Sequence, residues 1–337
     1  MHVSLMVWVL TFLMFAGILA WEVATALRNP HVPGIRSSAI WSVIYIVAAL
    51  LFGLVVYCLW GQDRAVEYVA GYVTERALSI DNLFVFILIM TAFSVPRRYQ
   101  QEVMLVGVGV AIVLRAVFIG LGAAIIDRFS WVFFIFGIFL LVTGWKLASA
   151  GTGNEDEEYQ ENAFIRGVRR IVPVTPSYEG SRVWLRRQGR FMLTPMAIVM
   201  LAIGSTDLLF AFDSIPAIFG LTDQAYIVFI ANAWALMGMV HLYFLLGGLL
   251  ERLVYLSYGL AFILGLIGVK LLIHALHENS LPFINGGEHV NAIPEISTET
   301  SLLMIVLAIA VAAAFSLRKT GNEEDAERDQ AGSRGTV

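Results

Sequence analysis

The residues best able to do chemistry in this chain are carboxylates set inside apolar runs. Glu75, Ser79, Asp81 and Asn82 fall in one run; Ser205, Thr206, Asp207, Asp213 and Ser214 fall in another. On an ideal helix Glu75, Ser79 and Asn82 share a face, with Asp81 about 100° from Asn82. Asp207 and Ser214 share a face, and Asp213 lies to one side. Pro216 has no N–H, so the carbonyl of Phe212 is predicted to lose its helical partner beside Asp213. Carboxylates, a carbonyl, an amide and hydroxyls make an all-oxygen set. Such a set suits hard or borderline divalent cations such as Mn2+, Mg2+ or Ca2+ over thiophilic metals. The candidate ligands are Glu75, Asp81, Asn82, Asp207, Asp213 and Ser214. The other reading of the same residues is ion pairing that locks helices together, with Arg76, Arg115, Lys146 and Lys270 available as partners.

The elements that position these groups must be membrane helices. Of the 337 residues, 58% are hydrophobic and 14% charged, against about a quarter charged in soluble domains. One soluble core cannot hide that much apolar surface. A carboxylate at the bilayer centre costs about 2.5–3.5 kcal/mol even on the lenient insertion scale. Asp81, Asp207 and Asp213 are therefore tolerable where they face a hydrated cavity, pair with a cation or carry a proton. The single cysteine, Cys58, excludes an intrachain disulfide and a thiolate metal cage.

A spanning helix needs about 20 mostly apolar residues. The candidates are 3–27, 38–60, 71–93, 102–126, 130–149, 193–219, 225–247, 253–274 and 301–317. The fold class is all-α integral membrane with about nine spans. Residues 1–64 hold the first two spans, the first of which lacks the basic region of a signal peptide. Residues 65–149 form a three-helix unit, 150–192 an Arg-rich linker and 193–275 a second three-helix unit. Residues 276–317 hold a loop and the last span, and 318–337 a polar tail expected to be disordered. Arg28, Arg36, Arg97, Arg98 and the arginines of 150–192 fall in alternate connections. By the positive-inside rule the N-terminus is outside the cytoplasmic membrane, and the linker and C-terminus are cytoplasmic. The linker arginines are expected to rest on anionic lipid.

The two motif segments resemble each other. Ser79-Ile-Asp-Asn-Leu-Phe-Val-Phe86 aligns with Ser205-Thr-Asp-Leu-Leu-Phe-Ala-Phe212, and the register continues so that Arg115 falls opposite His241. Three helices per unit is an odd number, so the copies must be inverted. Inverted repeats characterise secondary transporters, with the binding site at the midplane where the copies meet. Asn232 and His241 are expected to be interhelical hydrogen-bonding groups. Glu22 is expected to snorkel from the cytoplasmic end of the first span. Gly107, Gly109, Gly120, Gly122, Gly137, Gly265 and Gly268 are expected at close helix contacts. His274 and His277 read as a solvated helix end, with an exposed metal contact as the alternative.

The strings Glu75-Arg-Ala-Leu-Ser-Ile-Asp-Asn-Leu-Phe-Val-Phe86, Thr206-Asp-Leu-Leu-Phe-Ala-Phe-Asp-Ser-Ile-Pro-Ala-Ile-Phe219 and Gly265-Leu-Ile-Gly-Val-Lys270 resemble those of the TerC/Alx family, part of the wider lysine-exporter-like superfamily. The resemblance covers about residues 65–275. It implies metal-ion transport, chiefly manganese export across the cytoplasmic membrane, with an association with tellurite resistance. It implies Glu75, Asp81, Asp207 and Asp213 as the metal-site acids. Two positions depart from the family pattern. Gly204 stands where many relatives have Glu, and Gly238-Met-Val240, followed by His241, stands where many have Gly-Leu-Arg. Loss of one acid and one base reads as a compensated charge swap.

The expected function is a secondary transporter exporting a divalent cation, Mn2+ first. Asp81, Asp207 and Asp213 would be direct ligands, and Glu75 a ligand or proton carrier. The rival is a membrane scaffold for a tellurite or stress-resistance complex docked on the linker. No nucleotide-binding loop and no Ser/His/Asp constellation is present, so neither ATP drive nor an enzyme is expected. The expected partners are the lipid bilayer, the transported divalent ion and stress-response proteins at the linker. No nucleic acid is expected, and no cofactor beyond the transported ion.

Overall fold

The computed structural model describes residues 3–28, 32–126, 129, 131–150, 163–178, 180, 182–187, 190–246, 255–277, 285, 288, 290 and 293–334. Within the helices some side chains are also outside the description, among them those of Asp81 and Asp213. The elements in order are α1 (Leu5–Arg28), α2 (Ile35–Trp60), α3 (Gln62–Ala92), α4 (Arg97–Ile126), α5 (Val132–Ala150), α6 (Ala163–Ile171), β1 (Trp184–Arg187), β2 (Arg190–Leu193), α7 (Pro195–Phe219), α8 (Ala225–Met237), α9 (Met239–Leu246), α10 (Leu256–His277) and α11 (Thr298–Arg334).

Eight spans among the described residues are long and apolar enough to cross a membrane, with α8 and α9 together making one of them. The ninth expected span is α3. Its 31 residues reach about 46 Å at 1.5 Å per residue, but Glu75, Arg76 and Asp81 interrupt its apolar stretch. The chain is thus an all-α integral membrane protein. Asp63, Arg64 and Glu67, expected between spans, form the first turns of α3 instead. Gly61 alone joins α2 to α3, with φ at 90°, where a Cβ would strain the backbone. α7 begins at a Thr-Pro pair: Thr194 accepts the N–H of Ala197, and Pro195 occupies the first turn, where no N–H is needed.

Every residue of α8 from Tyr226 to Met237 is buried, so this helix is central. α3 and α4 lie against it, and α1, α2 and α11 present exposed leucines, isoleucines and valines outward, as lipid requires. α5 and α10 pack closest of all. A Cβ on Gly144 would lie 2.9 Å from the carbonyl of Ala261, and one on Gly268 3.0 Å from that of Gly137. Gly107, Gly109 and Gly137 also sit at tight contacts as expected, and Gly122 at an ordinary one. Gly120 and Gly265 have nothing near them, so close packing is not their role.

The described residues of the 150–192 linker form α6 and, with Leu193, an antiparallel hairpin, with Trp184 opposite Leu193 and Arg187 opposite Arg190. Tyr178 fastens it to the end of α3 through the carbonyl of Phe93, 2.8 Å away. The tail is not disordered from 318: α11 continues to Arg334.

Candidate functional site

Arg115, in the middle of α4, is 1% exposed and fills the space between α3, α7 and α8. A buried guanidinium must spend its donors on acceptors. Nε and Nη2 donate side-on to the two carboxylate oxygens of Asp207, at 2.7 and 3.0 Å. Nη1 donates to Glu75 Oε1, to Ser214 Oγ at 3.2 Å and to Asn232 Oδ1 at 2.5 Å. Asn232 in turn donates to the Val228 carbonyl of its own helix at 2.9 Å, which fixes the direction of its amide. Ser79, one turn along α3, donates to Glu75 Oε1 at 3.3 Å. Glu75 Oε2 is buried with no protein partner.

Of the six candidate ligands, the structure therefore brings three together: Glu75, Asp207 and Ser214. They surround Arg115, so the ion-pairing reading of these acids describes the contacts. Asn82 is buried on α3 and is not among the groups bonded to Arg115. Asp81 and Asp213 lie on the same two helices, and their side chains fall outside the described residues. Among the described residues no three His, Cys, Asp or Glu side chains are arranged to hold a metal. The cluster counts two carboxyls against one guanidinium, which leaves it one positive charge short when both acids are ionised.

The other available cations do not reach these acids. Arg76 donates to the carbonyl of Ala235 at 2.9 Å and more weakly to that of Gly238 at 3.4 Å. Those carbonyls belong to the end of α8, where the expected seventh span breaks before α9. A break inside a membrane frees carbonyls that must find donors, and Arg76 supplies them. A Cβ on Gly238 would lie 2.8 Å from Arg76 Nη1, so the guanidinium packs close against the backbone there. Lys270 bonds Thr298 at 3.2 Å, beside a cavity of about 360 Å3 that Glu67, Asp223 and Glu295 also line. Lys146 is exposed.

A second buried polar cluster lies between α1, α2 and α9. Glu22 is 6% exposed, so it does not snorkel. Its Oε1 accepts the Tyr45 hydroxyl at 2.6 Å and faces His241 Nε2 at 2.9 Å. Trp41 and Tyr45 stack on the imidazole, with interplanar angles of 17° and 23°. His241 is the interhelical group expected of it, as is Asn232. His274 and His277 also have partners: each approaches Glu295 at 3.2 Å, and His277 reaches the Ile293 carbonyl at 2.7 Å.

Arg115 as the centre of the first cluster, and the Glu22–His241 pair, were not legible in advance. The available signal was an arginine in mid-run in α4 and a glutamate inside the apolar run of α1, toward its end, each demanding a partner. The departure at Gly204 has a packing cause. A Cβ there would lie 2.7 Å from Val110 Cγ1, so the α4–α7 contact leaves no room for an acid.

Comparison with known proteins agrees with this architecture. Residues 60–323 match the model of the integral membrane protein TerC family. An uncharacterised membrane protein of Mycobacterium tuberculosis is 47% identical over 318 residues, which cover 94% of this chain and 80% of that one. One from Myxococcus xanthus is 36% identical, over 76% of this chain and 80% of its own. A Photorhabdus laumondii protein called Alx, whose name describes a candidate membrane-bound redox modulator, is 37% identical over 71% of this chain and 76% of its own. No solved structure matches.

Proposed function

This chain belongs to the TerC family of integral membrane proteins, and from that premise we propose that it is a secondary transporter exporting a divalent cation, Mn2+, across the cytoplasmic membrane. The observation that carries the reading is the convergence of Glu75 and Asp207 in one buried site with a carboxylate oxygen, Glu75 Oε2, left without a protein partner. Carboxylates are the hard ligands such an ion takes. Arg115 holds the acids in the resting arrangement. A divalent ion entering the site competes with the guanidinium for the same oxygens, and Asp81 and Asp213 are the further acids on α3 and α7.

Alternating access would come from two inverted triplets, α3–α5 and α7–α10. In support, α3 packs chiefly on α8, α4 on α7 and α5 on α10. A two-fold that exchanged the triplets would produce that pairing. The break between α8 and α9 is the kind of interruption transporters place at a binding site. We assign the chain no enzymatic activity. The redox description belongs to the Photorhabdus relative; here Cys58 stands alone, so this chain cannot form a dithiol couple of its own.

The test is cellular manganese content in a deletion strain carrying wild-type or Asp207→Asn protein. Wild-type protein should lower manganese and Asp207→Asn should not. Equal manganese in every strain, with resistance lost when the 163–193 segment is scrambled, would favour the scaffold reading instead.

A further inference from the structure

The Glu22–Tyr45–His241 cluster takes no part in the cation site described above, and its hydrogen-bond inventory is incomplete. Oε2 of Glu22 and Nδ1 of His241 are both buried without a protein partner. With Glu22 ionised and His241 neutral, Nε2–H and the Tyr45 O–H both donate to Oε1, and the cluster carries one uncompensated negative charge. Burying such a charge is expensive. One added proton makes the cluster neutral, and it has two places to go: Oε2 of the carboxyl or Nδ1 of the imidazole. The aromatic faces of Trp41 and Tyr45 on the ring favour an imidazolium when the proton is on Nδ1.

Among the described residues, the charged and titratable groups on the surrounding elements do not supply that compensation. Arg76 of α3 is bonded to the α8 carbonyls, and Arg115 of α4 to Glu75 and Asp207. On α4, Glu102 is buried and acidic, and Arg97 lies near Tyr243 rather than in the cluster's bonds. α8 presents Trp234, which has no charge.

We propose that Glu22, Tyr45 and His241 form a proton-binding site holding one exchangeable proton, and that this proton is the counter-ion for cation export. The second half rests on the transport reading; the first does not. Loss of the proton leaves Glu22 ionised and the three-helix contact negatively charged. Gain of the proton restores neutrality. Such a site exchanges protons when α9 moves relative to α1 and α2 and water reaches it. Separation from the Arg115 cluster lets the two ions bind at different places on one moving unit.

Two measurements test the proposal. Infrared difference spectra of purified protein between acidic and alkaline solution should show carboxyl and imidazole bands changing together. Glu22→Gln and His241→Gln should each abolish this joint change. Tyr45→Phe, the mildest change, should keep it and move the carboxyl stretch to higher frequency, because a hydrogen bond to the carbonyl oxygen is gone. Spectra of both Gln variants identical to wild type overturn the site. Proteoliposomes with an internal pH dye then report coupling: Mn2+ flux should move protons in wild type and not in Glu22→Gln, with Mn2+ binding unchanged. Flux without proton movement in wild type overturns the counter-ion role. Absence of any Mn2+ flux overturns the transport reading while the infrared result stands or falls alone.

Discussion

Arg115 and His241 fall opposite each other when the two motif segments are aligned, and each is a buried base holding carboxyl groups between helices. They differ in chemistry. The guanidinium is always charged and presents five N–H donors in a fixed fork. It faces two acids and uses its fork on four residues of three helices. The imidazole is charged only when protonated, faces one acid and is held by stacking as much as by hydrogen bonding. A permanent cation can be displaced from its acids only by another cation. A titratable one can be discharged by losing a proton. Under the proposed function the first cluster would serve cation exchange, and under the further inference the second would serve proton exchange.

The sharpest way to break this comparison is Arg115→Gln. It leaves Glu75 and Asp207 buried without their cation and should cost about 3–5 kcal/mol, read as a lowered unfolding midpoint in detergent. His241→Gln keeps an amide donor for Glu22 and should cost about 1 kcal/mol. Equal losses in the two variants would erase the distinction. A subtler change, Arg115→His, turns the first cluster into the second kind. Protonated imidazole can pair with the acids and neutral imidazole cannot. Stability should therefore be present at acidic pH and decline as the pH rises through the imidazole range, about 6.5 and above. Unfolding midpoints independent of pH would refute it. The smallest of the series concerns the α8–α9 junction next to His241. Gly238→Ala pushes a methyl against Arg76, whose flexible end can shift, so the cost should be about 1 kcal/mol, at the low end for overpacking. A loss as large as that of Arg115→Gln would mean that the junction and not the Arg115 cluster holds the helices in place.

Legibility in the sequence followed the kind of information each feature needs. The spans were readable because burial in lipid imposes a run of about 20 apolar residues regardless of neighbours. α3 was readable despite its charges, because Glu75, Ser79 and Asn82 fall on one helical face in a motif that α7 repeats in part. The hairpin at Trp184–Leu193 was not, because four-residue strands rich in arginine carry no periodicity that separates them from a loop. Glu22 was misread for a different cause. Its nearness to the end of α1 suggested snorkelling, while its partners lie far off in the chain, Tyr45 23 residues away and His241 219 residues away.

What the amino-acid order determined by itself is that this chain lives in a membrane and that carboxylates occupy depths where lipid would penalise them. Which groups relieve that penalty was decided by the tertiary structure. Pairing across helices depends on the rotation and depth of each helix against its neighbours, and hydropathy encodes neither. Arg115 could have met any of the motif acids. The packing of α4 against α7, with Gly107 and Gly204 at the contact, delivers it to Asp207 and Glu75.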